Sequence, residues 1–315
     1  MSASTSLGHA SGMKPRPKPK ARTSGRLRTP VMFLAPFLII FIAMYLVPIG
    51  FALQQSFLKT QRSGLGLGGP STPVFDPWFN YGRIFTDEAF IGSLGRVLVF
   101  GVVQVPLMLG FALLLALLLD SKSIRGKSFF RLTSFMPYAV PGVIAALMWS
   151  FLYSPSSSPI NNALAPLGID IPFMSEELVL WAVANIVTWG WTGYNMIIIY
   201  SAIQTIPAEV LESAKLDGAS PARIAWNIKI PMVRPAIILT AVFSIIGTAQ
   251  LFNEPTVLQA ISGGSINSAF TPLMSARAAV QSQDYAYAGA QSVVLALLVG
   301  VLSFAFFKLT NRGEK

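Results

Sequence analysis

Six apolar stretches, each long enough to cross a bilayer as one helix, constrain this chain more than any other feature. A hydrocarbon core about 30 Å thick takes roughly 20 apolar residues at a helical rise of about 1.5 Å per residue. The stretches run from Pro30 to Leu53, Val97 to Leu119, Ser134 to Leu152, Leu178 to Gln204, Pro235 to Asn253 and Ala288 to Leu309. Of the 315 residues, 53% are hydrophobic and 11% charged, whereas a soluble domain carries roughly a quarter charged. The expected fold class is therefore an all-α integral membrane protein with about six transmembrane helices. Pro137, Pro141 and Gly142 sit early in the third stretch, residues that such helices tolerate where neighbours satisfy the freed backbone groups.

The formal net charge of +10 raises nucleic acid as a partner, and the placement of the charges answers it. Lys14, Arg16, Lys18, Lys20, Arg22, Arg26 and Arg28 precede the first stretch in a Pro- and Ser-containing tail. Lys122, Arg125, Lys127 and Arg131 follow the second, Lys215, Arg223, Lys229 and Arg234 follow the fourth, and Lys308, Arg312 and Lys315 end the chain. The segment from Tyr153 to Glu177 has no Lys or Arg, and the one after Glu254 has Arg277 alone. This alternation is the positive-inside pattern, with both termini cytoplasmic and no role for nucleic acid. The first stretch is too long for a removable signal peptide and lacks a small-residue cleavage site, so it is expected to be retained. Trp78, Phe79 and Tyr81, in the external loop from Ser56 to Gly92, suit the headgroup level.

Catalytic chemistry finds little material. The chain has no Cys, and its one histidine, His9, lies in the tail, so no catalytic residue, metal ligand set or cofactor is expected. Gly64, Gly66 and Gly69 have dinucleotide-fingerprint spacing, but no strand is expected before them and Pro70 takes the place of a helix start. Gly126-Lys127-Ser128 resembles the end of a phosphate loop, yet Ser121 stands where its first glycine belongs. An ion-coupled carrier is the alternative reading. A mid-membrane carboxylate costs about 3 kcal/mol on insertion scales and persists only for a function, and Asp120, Glu177 and Glu254 all fall at the ends of stretches.

Polar uncharged residues do enter the stretches. At 100° per residue, Asn185, Thr188, Trp189, Thr192 and Asn195 share one stripe of the fourth, while Gly190 and Gly193 admit a close neighbour. Gln250 and Asn253 lie in the fifth, and Tyr285, Tyr287 and Gln291 open the sixth. Amides and aromatic faces together suit a neutral polyol. Each residue singly fits interhelical hydrogen bonding equally well, and only the group favours a path, for which the candidates are Asn185, Trp189, Thr192, Asn195, Gln250 and Asn253.

The loop between the fourth and fifth stretches carries the sharpest local signals. Ala208 to Leu216 is built of helix formers, Gly218 suits a left-handed cap, and Ser220-Pro221 reads as an N-cap and first-turn pair. A second short helix is expected to end before Ile230-Pro231. A merely solvated loop would not need the apolar Leu211, Ala214, Leu216 and Ala219 set among acids. Glu212-Ser213-Ala214, Gly218 and Ile228-Lys229-Ile230-Pro231 resemble the EAA signature of inner-membrane permeases of binding-protein-dependent ABC importers, with Ser213 for the first alanine and Ile230 for the leucine. Phe135-Met136-Pro137, Met148-Trp149, Ile160-Asn161-Asn162, Phe252-Asn253-Glu254-Pro255 and Ser262-Gly263-Gly264 are similar to the maltose and glycerol-phosphate type of carbohydrate permease.

The resemblance implies a type I ABC importer permease fold in the inner membrane of a bacterium. It divides the chain into a tail (1–28), a first helix with its external loop (29–93), a core (94–310) holding the coupling loop near 206–231, and a C-terminal tail (311–315). It implies a second homologous permease subunit, a cytoplasmic ATPase dimer, and an extracytoplasmic sugar-binding protein as partners. Glu212, Ser213, Ala214, Asp217, Gly218, Ala219 and Pro231 are then the residues expected to couple the chain to the ATPase.

Overall fold

The computed structural model of this protein describes residues 28–62, 71–121 and 124–310. The basic tail before Arg28, Gly64, Gly66, Gly69, Lys122, Arg312 and Lys315 lie outside the described residues. The chain divides into two units, Met1–Gly50 and Phe51–Lys315. The first contains α1 (Arg28–Phe41), a π-helical turn (Ile42–Leu46) and the start of α2 (Val47–Ser56).

The second unit opens with a hairpin of β1 (Leu58–Arg62) and β2 (Ser71–Phe75), antiparallel with Leu58 opposite Phe75. A strand therefore does precede the Gly64–Gly69 run, contrary to expectation. The next element is a second strand, whereas the dinucleotide fold would require a helix there. The chain continues with α3 (Phe79–Thr86), α4 (Glu88–Asp120), α5 (Lys127–Ala139), α6 (Gly142–Leu152), α7 (Pro159–Leu164) and α8 (Val179–Ile203). Of the three aromatic residues assigned to the headgroups, Trp78 is 81% exposed. Tyr81 instead turns its hydroxyl to Ser56 Oγ at 2.9 Å, and Phe79 lies under Lys59 Nζ.

Among the described residues, Val31–Ser56, Glu88–Asp120, Arg234–Ile261 and Tyr285–Thr310 are helical stretches long and apolar enough to span a membrane. A further candidate is the pair α5 and α6, bent by 93°. The single third helix expected from Ser134 to Leu152 is thus replaced by a broken one. Proline disfavours the α-helical region for the residue before it, and Val140, ahead of Pro141, is extended (φ −77°, ψ 125°). α8 is long enough at 25 residues but, with its polar stripe, is not among these candidate spans.

After α8 the chain forms α9 (Ala208–Leu216), α10 (Pro221–Ile224), a π-helical turn (Ala225–Lys229) and α11 (Ile230–Met232). The second helix of this loop therefore runs on past Ile230-Pro231, where it was expected to stop. α12 (Arg234–Ala249), α13 (Asn253–Leu258), α14 (Pro272–Gln281) and α15 (Tyr285–Thr310) complete the chain.

Contacts at the two ends of the bundle support the alternation of the loops. At one end Lys229 pairs with Asp120, and Arg234 donates to the Thr310 carbonyl. At the other, Arg83 pairs with Asp284 at 2.6 Å, Tyr287 donates to Asp87, and Arg96 donates to the Phe270 carbonyl at 2.7 Å. Apolar packing around α8 forms two clusters. Val179, Val183 and Ile186 join Phe100, Tyr153 and Leu258 near its start, and Met196, Ile199 and Ile203 join Ala112, Ala116 and Val233 near its end. The stretch of α8 between them, from Val187 to Asn195, contributes to neither buried cluster core.

Candidate functional site

That gap between the clusters holds a cavity of about 250 Å³. α4 contributes Gln104 and Met108, α8 contributes Trp191, Tyr194 and Asn195, and α12 contributes Ser244 and Thr248. The remaining wall comes from a break in the fifth stretch. α12 ends at Ala249, with Gln250 N–H bonded to Gly247 O at 3.1 Å, and Phe252 (φ −146°, ψ −50°) leaves helical geometry before α13 begins. Pro255 is accommodated in the first turn of α13, where its missing N–H would have no helical partner. The break places Gln250, Asn253 and Glu254 on the cavity.

A second lobe of about 210 Å³ adjoins the first and shares Val187, Trp191, Asn253 and Glu254 with it. Pro137, Tyr138, Val140 and Gly142, at the α5–α6 bend, close its far side. Tyr138 stacks on Tyr194 with ring centres 4.6 Å apart and meets Trp191 edge-on at 5.2 Å, so three aromatic rings stand together beside the amides.

Hydrogen bonding fixes some of the amides and leaves others available. Asn195, 2% exposed, donates to Trp191 O at 3.0 Å. Gln104, 1% exposed, donates through Nε2 to Thr188 Oγ1 at 3.3 Å and lies 3.4 Å from Met108 Sδ. Its Oε1 is buried with no donor among the described residues. A buried acceptor without a donor is penalised by about 1–3 kcal/mol.

The structure brings together Asn195, Gln250 and Asn253 from the expected path and sets Asn185, Trp189 and Thr192 elsewhere. Asn185 donates to Tyr153 Oη at 2.8 Å, Trp189 packs edge-on against Trp149 at 5.9 Å, and Thr192 bonds back to Thr188 O at 2.6 Å. Asn185 lies ten residues from Asn195, about 15 Å along the helix, and is exposed, reaching the cluster near the start of α8 only through the Tyr153 hydroxyl. Gln104, Trp191, Tyr194 and Glu254 were not anticipated. Gln104 was visible as the one amide inside an otherwise apolar run, whereas Glu254 was assigned to the end of the fifth stretch. Because that stretch continues through α13 to Ile261, Glu254 lies within it and faces both lobes, which revises the reading that acids occur only at the ends.

The loop between α8 and α12 forms the second candidate site. α9 closes in a Schellman motif, with Gly218 N–H bonded to Lys215 O at 3.0 Å and Ala219 N–H to Ala214 O at 2.9 Å. Gly218 takes φ +79° as expected. Ser220 Oγ accepts from Arg223 N–H at 3.3 Å, which caps α10. Glu212, Ser213, Asp217 and Pro231 are exposed, Ala214 and Ala219 half-buried. Leu216 is 90% and Trp226 74% exposed, so the loop presents exposed apolar side chains beside its acids. Replacing Ser220 with alanine is expected to weaken α10 by about 1 kcal/mol, read as faster amide exchange at Arg223 and Ile224, with unchanged exchange in α4.

Residues 108–314 match the family described as binding-protein-dependent transport system inner membrane component. The lactose transport system permease protein LacF of Rhizobium radiobacter is 33% identical over 287 residues, which cover 88% of this chain and 92% of that one. The diacetylchitobiose uptake system permease protein NgcF of Streptomyces coelicolor is 31% identical over 320 residues, covering 95% and 88% respectively. In three dimensions the chain is similar to a bacterial ABC transporter involved in the import of the acidic polysaccharide alginate. The TM-score is 0.77 over 92% of this chain and 97% of that one, at 21% identity, a likeness of fold.

Proposed function

Since this chain belongs to the family of binding-protein-dependent transport system inner membrane components, we propose that it is the permease subunit through which an ATP-driven importer passes a sugar. The observation that carries the sugar assignment is the two-lobed cavity, where the rings of Trp191, Tyr194 and Tyr138 stand beside Gln104, Asn195, Gln250 and Asn253. Sugar rings offer an apolar face to an aromatic plane and hydroxyls to amides. The relatives named for lactose and diacetylchitobiose support a small oligosaccharide.

ATP hydrolysis belongs to a separate cytoplasmic ATPase dimer, onto which the loop from Ala208 to Met232 docks. Leu216, Ala214 and Ala219 supply its apolar contact, Glu212 faces a partner arginine, and Asp217, Ser213 and Pro231 frame the turn. A second homologous permease completes the membrane pathway, and an extracytoplasmic binding protein delivers the cargo. With positive charge concentrated on the loop side, that side is the cytoplasm.

The test is ATP-dependent uptake of radiolabelled lactose, diacetylchitobiose, maltose and glycerol 3-phosphate by cells expressing the chain with its partner subunits. At least one of the sugars is expected to accumulate. Trp191→Ala should lower that uptake about tenfold, the equivalent of roughly 1.4 kcal/mol, with the chain still present in the membrane at its normal level. Uptake that Trp191→Ala leaves unchanged would place the path elsewhere.

A further inference from the structure

Asp120, the last residue of α4, holds three other elements at once. Its carboxylate accepts from Gln204 Nε2, just past the end of α8, at 2.7 Å and from Lys229 Nζ in the π-helical turn of the loop. Its carbonyl accepts from Lys127 Nζ, at the start of α5, at 3.2 Å. The Asp120 and Lys229 side chains are only 16% and 15% exposed, whereas Arg83 and Asp284 at the other end of the bundle are 47% and 28% exposed. Exposed pairs contribute little, but removing one partner of a shielded pair leaves an uncompensated charge out of water.

We propose that Asp120 is a positioning residue for transport: its ion pair with Lys229, braced by Gln204, makes the loop move as one body with the cavity-lining helices α4 and α8. The inference rests on the docking role proposed for the loop. The π-helical turn supplies the geometry, since its extra residue per turn shifts the phase of the side chains after it. Lys229 thereby faces α4 while Trp226, in the same turn, points outward. The loop's other anchors are apolar, Ile224 being buried and Leu211 packing on the cluster around Ile203. Apolar contacts slide, whereas a hydrogen-bonded ion pair has one register. From Asp120, α4 runs unbroken to Met108 and Gln104, about 18 and 24 Å away at about 1.5 Å per residue.

The experiment compares Asp120→Asn, Lys229→Gln and the reversed pair Asp120→Lys/Lys229→Asp in the assembled importer. Four quantities are read: co-purification of the ATPase subunit, the rate of ATP hydrolysis, ATP-dependent uptake of the sugar transported by the wild type, and amide exchange over 208–232. Each single variant should retain the ATPase subunit, lose at least tenfold in sugar carried per ATP hydrolysed, and exchange faster in the loop. The reversed pair should recover at least a third of the transport and restore slow exchange. Single variants that transport normally overturn the proposal, as does a reversed pair that assembles without recovering. Should the single variants fail to assemble, the reversed pair decides: assembly with transport supports the ion pair, and failure of either overturns it. A wild-type chain that binds no ATPase subunit would overturn the docking role and with it this inference, a result separable from loss in the variants alone.

Discussion

Replacing Gly193 with alanine is expected to unseat α5 from α8 and leave little correctly folded protein in the membrane. A Cβ at this position would lie 1.9 Å from Ser134 O, 2.7 Å from Ser134 C and 2.9 Å from Phe135 Cα. All three are backbone atoms, so no rotamer change can relieve the clash, and the helices would have to separate by more than an ångström. Overpacking a tight interior typically costs about 1–3 kcal/mol, occasionally more, and here the upper end applies because the obstacle is main chain. Helices in a membrane gain little from hydrophobic exclusion, so close backbone approach at small residues carries much of their association. The consequence extends to the cavity, since α5 holds Tyr138 against Tyr194. The measurement is the thermal unfolding midpoint and the monodisperse fraction in detergent, with Gly190→Ala as control. A Cβ at Gly190 meets nothing within 4 Å, so that variant should match the wild type. A Gly193→Ala protein as stable as the wild type would show that the two helices do not approach this closely.

The other large effect is expected at Gly218, and its origin is the reverse. A Cβ there meets nothing within 4 Å, while φ is +79°. Space within the chain is ample, and the obstacle is conformational, because the left-handed region disfavours side chains by about 1–2 kcal/mol. Gly218→Val should therefore open the Schellman motif that ends α9 and abolish sugar uptake, with insertion in the membrane unaffected because the loop tip is exposed. Gly218→Asn separates backbone from contact: asparagine accepts left-handed geometry, so the turn should persist, and any loss of uptake then reports a clash with the docked ATPase subunit. Membrane level, ATPase co-purification and uptake measured together distinguish these outcomes. Normal uptake by Gly218→Val would remove this turn from the coupling role.

How much of this was legible beforehand differs between the loop and the cavity. The loop's turn obeys rules that act within a few residues. A glycine closes α9 and a serine before Pro221 caps α10, and both could be placed from the sequence because left-handed φ and N-cap hydrogen bonds are local requirements. Where the helical course that begins with α10 passes Ile230-Pro231 through the π-helical turn and α11, the local rule fails. Pro231 sits early in α11, directly after a π-helical turn, and the chain keeps its helical course until Val233 (φ −93°, ψ 5°). Such a turn depends on what Lys229 meets, and Asp120 stands 109 positions away.

The cavity depended on partners still more distant. Periodicity put Asn185, Thr192 and Asn195 on one stripe of α8, yet which part of a stripe meets a cavity depends on where the facing helices break. Those breaks, at Pro141 and around Phe252, belong to other segments. The sequence alone determined the membrane-spanning class, the alternation of charged loops and the capped turn, since hydropathy, charge placement and capping are read over one to twenty residues. Tertiary structure alone decided that Gln104 and Trp191 share a cavity with Asn195, that Glu254 faces it, and that Asp120 ties it to the loop. These relations arise from the packing of helices brought together from across the chain, and no window of sequence contains both partners of such a contact.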